Sequence, residues 1–128
     1  MQKFLLFTSF ALLLVTSAFT GLKGIDDVIS ALRTGNVTEL GKNMDDNIEL
    51  AMPDKTDSYS KAQALIILRD FFAGNGVKSF EVKHSGDNGG SQFCIGNLET
   101  KNGSYRTTVF MKTKDGRQVI KEIRFQAV

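Results

Sequence analysis

The sequence predicts an α+β domain in which helices come first and an antiparallel sheet follows. Three observations carry this. Apolar residues recur at helical spacing between Ile25 and Phe72, and they alternate at period two from Val77 to the end of the chain. Hairpin signals, Gly86-Asp87-Asn88-Gly89-Gly90, Asn102-Gly103 and Asp115-Gly116, divide the alternating part into four segments. Helices followed by a run of strands pack as a layer of helix on one antiparallel sheet.

Ahead of the domain stands MQKFLLFTSFALLLVTSAFT, with one early cation at Lys3, an apolar stretch from Phe4 to Val15 and small residues Thr16, Ser17 and Ala18. This is the pattern of a cleavable signal peptide, and the apolar run falls short of the roughly 20 residues a spanning helix needs. We assign 1–20 to the leader and 21–128 to a single domain, exported to the periplasm or the medium, with no membrane span once the leader is removed. Cys94 is the only cysteine, so no internal disulfide forms and no thiol stands at the cleavage point for a lipid. Lys and Arg number 16 against 14 Asp and Glu, and the leader removes Lys3, so near-neutrality gives no electrostatic case for nucleic acid.

The segment GIDDVISALRTG places Ile25, Val28, Ile29 and Leu32 on one helical face, with Asp26 and Asp27 in the first turn and Gly35 at the stop. Asn36 with Glu39 forms a capping box that opens a second short helix toward Met44. Residues Asn47 to Met52 alternate as a brief strand, and 53–58 read as a loop. Ser60 with Gln63 opens the longest helix, closed by Asn75 and Gly76. Ala64, Leu65, Leu68, Phe71 and Phe72 share its apolar face, which Ile66 and Ile67 widen, so burial along much of its surface is expected.

Four strands follow, at 77–84, 91–100, 104–113 and 118–127. Because a slip of one residue inverts a strand's faces, the turn lengths decide which residues meet the helix. A three-residue loop, Lys101 to Gly103, aligns Phe93 with Met111 and Ile95 with Val109, and the same choice at Asp115-Gly116 aligns Met111 with Val119 and Tyr105 with Phe125. Phe80, Val82 and His84 extend that face. The opposite face then carries Cys94, Leu98 and Phe110, an apolar outer surface fit for a second copy of the chain.

Two short helices, a brief strand, a long helix beginning YSKAQALIILRDFF and a curved meander resemble the nuclear transport factor 2-like cone, also called the cystatin-like fold. The resemblance implies helices on one face of a curved, antiparallel, four-stranded meander. More narrowly, the leader, YSKAQA, the Phe71-Phe72 pair, FCIGNLETKNGSYR and the closing strand resemble an exported bacterial family known as domain of unknown function 4783. That likeness implies a fold and a location and transfers no catalytic residue. The cone serves isomerases and dehydratases as well as binding modules, so the fold alone leaves both open.

Chemistry is sparse. Cone-type acid–base catalysis needs a positioned carboxylate or histidine beside a hydrogen-bonding partner in an apolar pocket. The single histidine, His84, stands at a strand end beside a glycine-rich turn, and Asp54, Asp57 and Tyr59 lie where turns and helix starts ordinarily use such residues. Adjacent acids Asp26-Asp27 and Asp45-Asp46 point in different directions, and with one histidine and one cysteine no metal site or cofactor is indicated. The preferred register sets Asn97 beside Thr107 and Glu99 beside Tyr105, with Tyr59 above them, a polar-edged end of the concave face for a ligand. The reading is a non-enzymatic binding or interaction module for a small ligand, peptide or protein partner, with a lyase or isomerase as the alternative.

Overall fold

The computed structural model describes residues 24–128, so the leader and its cleavage point lie outside the described residues. Helix α1 spans Gly24–Thr34 and α2 spans Val37–Lys42. Gly35, at φ 64°, turns the chain between them, and the Asn36 N–H closes the bend on the Ala31 carbonyl at 2.8 Å. The predicted capping residue acts as expected: the Glu39 N–H donates to Asn36 Oδ1 at 3.1 Å.

Strand β1 (Met44–Ala51) and strand β2 (Thr56–Ser60) form a hairpin where the sequence suggested one strand and a loop. Helix α3 (Lys61–Asn75) starts at Ser60, whose Oγ accepts from the Gln63 N–H at 3.3 Å, and it ends at Gly76 in the left-handed region. Its buried stripe is Ala64, Leu68 and Phe72, whereas Ile66 is 58% exposed, so the helix is buried along one side only.

Strands β3 (Val77–Asp87), β4 (Ser91–Thr100), β5 (Gly103–Lys114) and β6 (Arg117–Ala127) make the expected antiparallel meander. The sheet, however, has six strands in the order β2-β1-β6-β5-β4-β3, with β1 parallel to β6. Short polar β2 escaped notice because its TDSYS sequence buries little and shows no apolar alternation.

The register differs from the one expected. The β4–β5 hairpin turns on Lys101 and Asn102, with Thr100 opposite Gly103, so Cys94 pairs with Val109 and Leu98 with Tyr105. The end of α3 explains the choice. Lys101 N–H reaches the Asn75 and Gly76 carbonyls at 3.0 Å, and Asn102 Nδ2 donates to the Gly74 carbonyl at 2.9 Å. Asn102 is thus held by a helix terminus and does not take a left-handed turn position. The Asp115-Gly116 turn is a two-residue one with both residues at positive φ, and a bulge at Lys121 shifts the rest of β6.

These shifts set the two faces of the sheet. Cys94, Leu98, Val109, Met111, Ile120, Ile123 and Phe125 all join the buried core on the concave, helix-covered side. Gly96 belongs to that face because the Phe80 ring lies on it, and a Cβ there would stand 2.7 Å from Phe80 Cζ. A bulge at Lys83 reverses the parity of β3, so His84 pairs with Ile95 on the convex side and leaves the apolar face assigned to it.

Candidate functional site

Four aromatic rings pack together on the concave face near the end of α3. Phe71 stands 4.7 Å from Phe125 and 5.1 Å from Tyr105 between ring centroids, and Phe72 meets Phe125 edge-on at 6.0 Å. The polar groups there are engaged. Tyr105 O–H donates to Asn75 Oδ1 at 3.2 Å, Asn75 Nδ2 donates to the Phe71 carbonyl at 2.8 Å, and the buried Thr107 hydroxyl donates to the Tyr105 carbonyl at 3.3 Å.

The five residues proposed as a ligand site are therefore divided between the faces. Tyr105 and Thr107 lie on the concave side, and Tyr59, in β2 opposite Ile48, packs against the same core. Asn97 and Glu99 lie on the convex side, opposite Arg106 and Ser104. Glu99 Oε2 accepts from Ser104 Oγ at 2.6 Å. Asn97 borders a shallow groove of about 260 Å³ with Lys83, His84, Ile95 and Arg106.

The convex apolar patch also has a different composition. Cys94 and Leu98 are fully buried in the core, and burial pushes the Cys94 thiol up to about 11. Phe110 does face outward, 40% exposed, with Phe93 at 6.5 Å between centroids and Ile95 beside it.

A charged cluster that sequence reasoning missed lies where β1 and β6 bulge together. Buried Asp45 takes Lys114 Nζ and Lys121 Nζ at 2.6 Å each, and its Oδ1 accepts the Asp46 N–H at 2.8 Å. The Lys114 and Lys121 ammonium groups hold the Asp45 carboxyl far below the usual carboxylate range, and Lys114 is raised in return. The one signal for it was the spacing of Ile120 to Ile123, where an odd step interrupts the alternation. Both Asp45 carboxylate oxygens are taken, so the cluster is an ion-pair clamp where β1 and β6 shift register. Among the described residues no group of three or more His, Cys, Asp and Glu side chains could hold a metal ion.

Comparison with known proteins places this architecture. The family model for a domain of unknown function (DUF4783) matches residues 25–126. The chain belongs to this family. A DUF4783 protein from Bacteroides uniformis is 34% identical, with a TM-score of 0.78 over 80% of this chain and 95% of that one. A DUF4783 protein from Bacteroides ovatus is 33% identical, with a TM-score of 0.77 over 80% and 93%. An NTF2-like protein of unknown function from Cytophaga hutchinsonii, 14% identical with a TM-score of 0.61 over 85% and 90%, shares the fold alone. No curated protein matches the chain. The α+β reading and the nuclear transport factor 2-like cone hold for this DUF4783 member, with six strands in place of four.

Proposed function

We propose that this DUF4783 chain is an exported, non-enzymatic interaction module that acts through its surface. The observation that carries the reading is the occupied concave face. In a cone-type enzyme that space holds an ionisable base beside a free hydrogen-bond donor, whereas here it holds Phe71, Phe72, Tyr105 and Phe125, with the tyrosine hydroxyl already bonded to Asn75. Of the other buried ionisable side chains, Cys94 on the same face is kept protonated by burial, and Asp45 outside it is clamped by two lysines. Export rests on the leader, and the family match begins at residue 25, just past the assigned cleavage region.

Self-association through the convex face is part of this reading. Phe110 lies beside Glu122 and Glu49 on the β1 side and beside Phe93 and Gly86 on the β3 side, where Lys83 and His84 stand further along β3. A two-fold axis along the strands at Phe110 sets those flanks against each other in a pair of copies.

The test is a metabolite screen by thermal shift, with amide shifts used to map each stabilising compound. The proposal expects no compound to perturb Tyr105 and Thr107. A compound that stabilises the protein and shifts both would overturn it in favour of the lyase or isomerase reading.

A further inference from the structure

The parallel seam between β1 and β6 stops before β6 does. Its ladder ends at Ala51 opposite Arg124, yet β6 continues to Ala127, still paired on its other side through Arg106 with Gln126 and Tyr105 with Ala127. The sequence explains the stop. Met52 and Lys55 exchange backbone hydrogen bonds at 2.8 and 3.3 Å across the β1–β2 turn, which aims Met52 at β2 and leaves Pro53 next in line toward β6. Proline has no N–H to give.

Strand parity then identifies the backbone groups left over. Val128 N–H donates to the Ser104 carbonyl at 3.1 Å, so even-numbered residues here turn to β5, while Phe125 and Ala127 turn away from it. The bridge between Ala51 and Arg124 takes the Phe125 N–H. That leaves the Phe125 carbonyl and the N–H and carbonyl of Ala127 without a partner among the described residues. They open on a cleft of about 670 Å³ whose walls include Met52, Pro53, Thr56 and Gln126.

We propose that this cleft takes an extended peptide as an added strand beside the end of β6. The inference rests on the interaction-module reading and names its partner class. An acceptor, a donor and an acceptor along one strand edge are the complement of peptide N–H, C=O and N–H groups. Met52 and Pro53 offer an apolar wall for one small side chain, and Thr56 and Gln126 border the cleft with polar groups. Arg124 also lines the cleft, and the unpaired backbone groups lie beyond it along β6.

The probe is the acetylated, amidated pentapeptide Thr-Val-Thr-Val-Thr, titrated into ¹⁵N-labelled protein. Amide shifts confined to 52–56 and 125–128, with slowed exchange at Ala127, are expected. The same peptide N-methylated at every residue should bind at least about tenfold more weakly, as loss of its donors requires. Pro53→Ala restores an N–H that can reach the Phe125 carbonyl and lengthen the seam, so it should weaken binding while the fold is kept. Ala127→Pro, which deletes the donor, should do the same. Shifts at Phe93 and Phe110 instead would overturn the cleft and leave the module reading standing. Shifts at Phe71 and Asn75 with none at Ala127 would overturn both, and no shift at any of these residues up to about 10 mM peptide would overturn the cleft alone.

Discussion

The concave and convex faces of one sheet differ in how completely their chemistry is used. On the concave face the side chains of Leu98, Val109, Ile123 and Phe125 are shut away from water, and the polar groups of Tyr105, Asn75 and Thr107 are bonded to one another or to backbone. On the convex face Phe110 is partly exposed, and Lys83, Asn97 and Arg106 border an open groove. Among the described residues, packed rings and bonded polar groups line this part of the concave face. The proposed interaction role draws on the faces and edges.

Mutations should divide along the same line. Phe125→Ala, at the junction of three rings, should cost about 3–5 kcal/mol in urea unfolding, because the cavity cannot collapse against two further aromatics. A cost below about 1 kcal/mol would mean that the ring cluster is loosely packed.

Asp45 sharpens the comparison, since it is a closed site on the convex side. Its folded-state value is depressed, so its stabilisation is full above the unfolded value of about 3.9 and is lost as pH falls toward the folded one. The stability gap between the wild type and Asp45→Asn should be constant near neutrality and shrink on acidification below about pH 4. A gap that is the same at acid and neutral pH would remove the two-lysine clamp from the account.

Cys94 reports on the concave face without mutation. With its thiol raised to about 11 by burial, it should resist a thiol reagent at pH 8 in the native protein and react only at the rate of unfolding. Immediate labelling would show that water reaches the inner face. The smallest effect is expected at Phe110: Phe110→Asp should leave unfolding stability within about 0.5 kcal/mol and abolish the dimer in sedimentation at micromolar concentration. A wild type that stays monomeric there would refute self-association.

Local signals were well read from the sequence because each depends on neighbours. Asn36 with Glu39, Ser60 with Gln63, and the glycine stops at Gly35 and Gly76 all stand where the residues put them. The candidate site failed for a non-local reason. Lys101 and Asn102 make the turn because their amide groups donate to the carbonyls of Gly74, Asn75 and Gly76 at the end of α3, and that two-residue turn sends Asn97 and Glu99 to the far side from Tyr105 and Thr107. The bulges at Lys83 and Lys121 added two more parity changes, of which only the second left a trace in the apolar spacing. The end of the β1–β6 seam, by contrast, was written in Pro53, and its meaning needed only knowledge of which strand lay beside it.

The most direct test of the occupied interior is xenon titration followed by amide and methyl shifts. The account predicts small, linear shifts at Leu68, Ile123 and Phe125 as xenon pressure rises. Saturable shifts at those residues would reveal an empty apolar cavity beneath the helix and contradict it.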